Sequence, residues 1–111
     1  RANRNAEAIA SFVHKHDWIE FLAEDPKTRS NTSVCLRLTD DRIDDVRAFT
    51  TSLIERLEIE KVAYDIAAYR DAPAGLRIWC GGTVETSDIE ALLPWLTWAF
   101  ESEITQQNNT K

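Results

Sequence analysis

Residues 33–58 read SVCLRLTDDRIDDVRAFTTSLIERLE, and they predict a strand that leads directly into a helix. Val34, Leu36 and Leu38 alternate with other residues, which is the period of a strand with one buried face. The polar turn Thr39-Asp40-Asp41 supplies an N-cap. Apolar residues then recur at helical spacing, and they are Ile43, Val46, Phe49, Leu53, Ile54 and Leu57. This unit predicts a fold in which helices cover a β-sheet.

Weaker patterns on either side extend the unit to the order α-β-β-α-β-β-α. The further segments are a helix over 1–15, strands over 17–22, 62–68 and 76–80, and a last helix that starts near Ser87. Because the connections are short, neighbouring strands are expected to pair as hairpins, and strands across the middle helix to join one largely antiparallel sheet. We therefore predict a single domain over residues 1–111, an α+β two-layer sandwich with about four strands, helices on one face and a frayed tail at 106–111.

Composition narrows the class of protein. The chain has 111 residues, 43% of them apolar, and a net charge of −6, which is typical of a soluble domain. The negative charge argues against nucleic-acid and anionic-membrane partners, since both require a basic face. No apolar run approaches the roughly 20 residues of a membrane span. Two cysteines, Cys35 and Cys80, lie in strand-like runs, so buried thiols in a reducing cytoplasm are expected.

The chain contains no methionine and opens with Arg1-Ala2. Because a reading frame normally starts with methionine, we expect this sequence to be a piece of a longer protein. Such a piece can carry half of a site and perform no chemistry alone.

The sequence predicts neither a catalytic set nor a metal site in this chain. His14 and His16 lie two residues apart, so on a helix they point in different directions. The aspartates between 40 and 45 lack the glycine and the terminal glutamate of a calcium loop, and a helix start explains them. Phosphate-binding glycine loops and nucleophile motifs are absent from the sequence.

Arg77 is the candidate binding residue. It lies in the middle of a predicted strand and shares a face with Trp79. One interpretation is that its guanidinium binds the carboxylate of a ligand through two parallel hydrogen bonds, and the other is that it pairs with a surface carboxylate. Arg70, in the loop before this strand, is either solvated or part of the same anion site. Trp79, Trp95 and Trp98 are interpreted as core or interface residues.

Read together, four segments resemble the C-terminal small domain of the phosphoserine aminotransferase family, in a bacterial branch. The segments are Asp17-Trp18-Ile19-Glu20-Phe21-Leu22, Thr28-Arg29-Ser30-Asn31-Thr32-Ser33-Val34-Cys35-Leu36, Val62-Ala63-Tyr64-Asp65-Ile66 and Tyr69-Arg70-Asp71-Ala72-Pro73-Ala74-Gly75-Leu76-Arg77-Ile78-Trp79-Cys80-Gly81. The resemblance implies a fold-type I enzyme dependent on pyridoxal phosphate (PLP), which transfers an amino group between glutamate and 3-phosphohydroxypyruvate in serine biosynthesis.

Residue roles follow from the resemblance at three positions. The family's Gly-x-Arg element falls on Gly75-Leu76-Arg77, which implies that Arg77 holds the substrate α-carboxylate. Tyr69-Arg70 occupies the place of a His-Arg pair that contacts the substrate phosphate. Tyrosine replaces the histidine here, and the loop up to Arg77 is one residue longer.

The resemblance places the catalytic and cofactor-binding residues in a large domain that this chain lacks. None of Lys15, Lys27, Lys61 and Lys111 matches the context of the family's Schiff-base lysine. The full-length enzyme is therefore expected to be a PLP-dependent homodimer, while the isolated piece is expected to bind no PLP, to lack activity and to self-associate through a former interdomain surface with tryptophans such as Trp18 or Trp79 on it. The alternative is a stand-alone α/β module that binds a small ligand or dimerises without catalysis.

Overall fold

Three helices and three strands form the part of the chain that the computed structural model describes, namely residues 2–22, 33–63, 66–68, 73–79, 81 and 84–109. In chain order they are α1 (Ala2–Lys15), β1 (Ile19–Phe21), β2 (Ser33–Leu38), α2 (Val46–Ile59), β3 (Leu76–Trp79) and α3 (Thr86–Asn109). The strands form one antiparallel sheet in the order β1-β2-β3. The predicted α+β fold is confirmed.

The sheet joins neighbouring strands and also strands across the middle helix, as predicted. The strand predicted over 62–68 is reduced, among the described residues, to a bridge between Ala67 and Leu76. Backbone hydrogen bonds from Arg77 N to Ile66 O (2.8 Å) and from Ala68 N to Gly75 O (3.3 Å) flank this bridge. The sheet of about four strands is therefore three strands and one bridged segment in the described chain.

One core lies between the sheet and the helices. The alternation in β2 turns Val34, Leu36 and Leu38 inward, where Leu76 and Ile78 of β3 lie opposite Leu36 and Val34. Helix α3 packs against both α1 and α2. Buried residues from every helix and strand join a single hydrophobic cluster, and this cluster fixes which face of the sheet remains outside.

Helix α2 begins later than the sequence predicts. Asp45 is its N-cap, and its carboxylate accepts a hydrogen bond from Ala48 N at 3.1 Å. The predicted cap at residues 39–41 is wrong because Asp40 is occupied elsewhere: its side chain accepts hydrogen bonds from Arg42 N (2.8 Å) and from the Arg42 guanidinium (2.9 Å). That local turn delays the first helical residue to Val46.

The Asp40–Arg42 pair predicts a dependence of stability on pH. The side-chain hydrogen bond from Arg42 is the main cause that lowers the pKa of Asp40 below its ordinary value. A lowered folded-state pKa stabilises the fold above the unfolded-state pKa of about 4, and this contribution disappears as the pH falls through the folded-state value. We expect Asp40→Asn to lower the melting temperature slightly at pH 7, and we expect the difference from wild type to shrink as the pH is lowered below about 4. A difference that does not shrink in acid would contradict this origin.

Helix α3 continues through Asn109, although the sequence predicts a frayed tail from residue 106. Gln106 accepts a hydrogen bond from the Arg56 guanidinium at 2.6 Å, and Gln107 donates one to the backbone oxygen of Arg42. Both contacts tie the end of α3 to residues more than 45 positions away in sequence, which a local pattern does not reveal. Among the described helices, none is long and apolar enough to cross a bilayer.

Candidate functional site

The face of the sheet opposite the core carries the candidate site. We call this surface the outer face, and it consists of Glu20, Ser33, Cys35, Arg37, Arg77 and Trp79. Each of these residues alternates with a core residue on its own strand. Polar and charged side chains dominate this surface, so it is chemically distinct from the side covered by the helices.

Arg77 lies near the middle of the outer face. The register places it opposite Cys35 of β2, and its backbone N–H donates to Ile66 on the other side. Its side chain is half-buried, and the Nε atom is shielded from solvent. The backbone of Arg77 is held between β2 and the bridged segment at Ile66, and its stem is partly covered. A guanidinium held in this way has few alternative positions, which suits it to orienting a carboxylate.

The acidic residue of the three strands, Glu20, is paired with Arg37. Glu20 of β1 accepts a hydrogen bond from Arg37 Nε and forms an ion pair with the Arg37 guanidinium. Both side chains are partly exposed, at 41% for Arg37 and 44% for Glu20. The sequence pattern did not reveal this pair, because the partners lie 17 residues apart and meet only through the β1–β2 register.

Gly75 is required by the approach of two backbones. A Cβ atom at this position would lie 2.2 Å from the Leu36 carbonyl oxygen, a distance that no side chain can occupy. Every residue other than glycine would therefore push the start of β3 away from β2. Since Arg77 lies two residues further along the same strand, Gly75 lets Arg77 reach its position beside Cys35.

Trp18 and Trp79, both predicted to lie on an exposed interdomain surface, differ in their exposure to solvent. Trp79 is 53% exposed on the outer face, and Gly81 lies beneath its ring. Trp18 is only 8% exposed, because its ring stacks on Phe100 of α3 with a centroid distance of 4.2 Å. The assignment of Trp18 to an interdomain surface is therefore wrong. Tertiary packing buries it, while Trp79 remains outside.

The cysteine prediction is also corrected at Cys35. The sequence suggested a buried thiol, but the alternation in β2 turns Cys35 to the outer face, where it is free and half-buried. Cys80 lies outside the described residues, as do Tyr69 and Arg70. The structure therefore describes one of the three predicted substrate-binding residues, Arg77.

None of the three described strands carries a lysine on the outer face of the sheet. Lys15 and Lys61 are exposed and lie at the ends of α1 and α2, away from the outer face of the sheet. Within the described ranges, no group of three or more histidine, cysteine or acidic side chains could hold a metal ion. The outer face places the Arg77 guanidinium beside the Cys35 thiol and the exposed Trp79 indole. This arrangement is suited to binding and orienting a ligand.

Comparison with known sequences identifies the relatives of this chain. No protein-family model matches it. Phosphoserine aminotransferase from Methanosarcina mazei is 48% identical over 103 residues, which are 91% of this chain and 26% of that protein. Phosphoserine aminotransferase from Methanosarcina barkeri is 50% identical over 102 residues, with nearly the same coverage.

The chain is a homologue of one segment of phosphoserine aminotransferase. It spans about a quarter of the length of these curated relatives. Solved structures support the fold. A phosphoserine aminotransferase from Bacillus circulans subsp. alkalophilus superposes on 91% of the chain with a TM-score of 0.75 at 18% identity. The tryptophan decarboxylase of Catharanthus roseus superposes on 92% with a TM-score of 0.70 at 16% identity. The fold is thus shared beyond phosphoserine aminotransferases.

Proposed function

We propose that this chain is the C-terminal small domain of a PLP-dependent phosphoserine transaminase and that it captures the substrate. The whole enzyme would convert phosphoserine and 2-oxoglutarate to 3-phosphohydroxypyruvate and glutamate, in serine biosynthesis in the cytoplasm. The observation that carries this proposal is the identity of 48–50% to phosphoserine aminotransferases over about nine tenths of the chain. That identity favours part of an enzyme over a stand-alone binding or dimerisation module.

Arg77 is the residue proposed to bind the α-carboxylate of the substrate. Its planar guanidinium can donate two parallel hydrogen bonds to a carboxylate, and the strand limits the orientations it can adopt. Both amino-acid substrates of the reaction carry this carboxylate. Holding it would orient the Cα–H bond for proton transfer, which is a contribution of positioning rather than of chemistry.

Arg70 and Tyr69 are proposed to contribute to binding the phosphate of phosphoserine. This assignment rests on the sequence resemblance, since both residues lie outside the described ranges. Arg70 would supply positive charge, and Tyr69 would supply a hydroxyl donor where better-known members carry a histidine.

The remaining three quarters of the protein would hold the cofactor. PLP supplies an electron sink for the bond-breaking step. No PLP-binding or catalytic residue is assigned to this chain, because the resemblance places those residues in the large domain. We propose that the outer face meets this large domain and that the whole enzyme is a homodimer.

The test is the substitution Arg77→Ala in the full-length enzyme. Loss of a charged contact to the carboxylate is expected to lower kcat/KM for phosphoserine about 30-fold or more, about 2 kcal/mol in transition-state binding. Arg37→Ala is the matched control, because it removes the same charge from the same face but from a side chain held by Glu20. Its kcat/KM is expected to stay within about threefold of wild type. A kcat/KM within threefold for Arg77→Ala would refute the role of Arg77.

The isolated chain gives a second prediction. We expect residues 1–111 to retain no PLP absorbance after dialysis and to show no transaminase activity, because the cofactor site would lie elsewhere. The exposed Trp79 is expected to promote self-association that Trp79→Ser reduces, measured by sedimentation velocity. Bound PLP with turnover would show that the chain is a complete enzyme, and a strictly monomeric wild-type chain would refute the exposed interdomain surface.

A further inference from the structure

Cys35 of β2 lies directly opposite Arg77 of β3, in the kind of strand pair that brings two Cα atoms closest together. Cys35 and Arg77 are register partners in the antiparallel pair β2–β3. The backbone N–H of Arg77 donates to Ile66 O at 2.8 Å, and the backbone oxygen of Cys35 accepts from Leu22 N at 3.0 Å. The backbone polar groups of both residues thus point away from each other, which defines a non-hydrogen-bonded pair. In such a pair the Cα atoms are only about 4.5 Å apart, and the side chains contact closely.

Along its own strand Arg77 has a large neighbour on one side and a glycine on the other. Trp79 stands next to it on the same face of β3, and the Glu20–Arg37 pair occupies the β1 side of β2. Gly75, two residues before Arg77, has no side chain. The shielded Nε atom shows that the stem is partly covered rather than extended into solvent. Because a non-hydrogen-bonded pair brings its two side chains together, we expect the residue at position 35 to contact the methylene groups of the arginine.

We propose that Cys35 is a positioning residue that sets how far the Arg77 guanidinium reaches and hence how tightly the α-carboxylate binds. This inference rests on the proposed function of Arg77. A cysteine is small, and its thiol is a weak hydrogen-bonding group, so it gives room to the stem without holding the guanidinium. A longer or branched side chain at this position would occupy the volume of the stem and displace the guanidinium.

The test compares three variants in the full-length enzyme. Cys35→Leu is expected to raise the KM for both glutamate and phosphoserine about tenfold, while kcat changes less than threefold, because both substrates bind through the same carboxylate. Cys35→Ser keeps nearly the same side-chain volume, so its KM is expected to stay within twofold of the wild-type value. Ser52→Leu is the control, since it adds similar bulk at an exposed position of helix α2, on the other side of the sheet from the outer face. Its KM is expected to stay within twofold.

A merely structural role for Cys35 would lower the amount of folded enzyme or kcat without a selective change in KM. If the Cys35→Leu variant has the KM of the wild type, while the separate Arg77→Ala variant loses most of its activity, the positioning role of Cys35 is overturned and the proposed function stands. If Arg77→Ala itself retains activity, the proposed function fails first.

A second measurement uses the wild-type enzyme, so it does not depend on a variant that folds. The thiol of Cys35 is alkylated with iodoacetamide, and its rate is followed by peptide mass spectrometry with and without saturating glutamate. A carboxylate bound to Arg77 covers the neighbouring thiol, so the rate at Cys35 is expected to fall at least fivefold. A rate that glutamate leaves unchanged would overturn the proposal that Cys35 positions the guanidinium that binds the carboxylate.

Discussion

Replacing Gly75 with alanine is expected to lower the free energy of unfolding by about 3 kcal/mol or more. The added Cβ would lie 2.2 Å from the carbonyl oxygen of Leu36, so the clash is with backbone and no side-chain rotation relieves it. Relief requires β3 to move away from β2, which disturbs the pairing that holds Arg77 opposite Cys35. Urea unfolding followed by far-UV circular dichroism measures the loss.

Gly81→Ala is the matched control for this prediction. Its added Cβ would come within 2.6 Å of the Trp79 ring, which is the end of a half-exposed side chain and can move. The expected loss is below about 1 kcal/mol. Equal losses for both glycine variants would show that contact with the Leu36 backbone is not what makes Gly75 necessary.

Replacing Phe100 with alanine is expected to cost about 4 kcal/mol of stability. Phe100 is 2% exposed, stacks on Trp18 at a centroid distance of 4.2 Å and meets Phe49 edge-on at 5.6 Å. It therefore joins α3 both to α2 and to the turn before β1, and its loss leaves a cavity that the surrounding elements cannot fill together. Urea unfolding measures the change, and the near-UV signal of Trp18 is expected to weaken.

Trp98→Ala provides the comparison for Phe100. This residue lies two positions earlier on α3 but is 39% exposed, and its ring contacts the Arg56 guanidinium at 5.7 Å. The expected loss is about 1 kcal/mol, since a partly exposed cation–π contact contributes less than a buried ring. A larger loss for Trp98 than for Phe100 would place the centre of the core elsewhere on α3.

The predicted fold follows from local patterns wherever one face of an element is buried. The alternation of Val34, Leu36 and Leu38 sets strand β2, and apolar residues at helical spacing set α2, which ends at Ile59 close to the predicted end. Such patterns are local, because the period of an element follows from its own backbone geometry. The order of the four segments listed in the sequence analysis also predicted a resemblance to phosphoserine aminotransferases, and the relatives confirm it.

The sequence could not predict which polar side chain caps α2 or which side chains hold the end of α3. Several aspartates were available to cap α2, and the turn in which Asp40 binds Arg42 leaves Asp45 as the N-cap. The end of α3 was likewise misplaced, because Gln106 and Gln107 are held by Arg56 and by the backbone of Arg42. The cap depends on a competition between neighbouring polar groups, whereas the contacts at the end of α3 join segments that are remote in sequence.

By itself the sequence determined the α+β architecture, the inward face of β2 and Arg77 as the candidate residue to bind a carboxylate. Tertiary structure alone decided that Trp18 is buried while Trp79 is exposed, and that Cys35 faces Arg77. The physical reason is that residue spacing determines the face on which a side chain lies, whereas register and packing between distant segments determine its neighbours. The chemistry of the outer face depends on those neighbours.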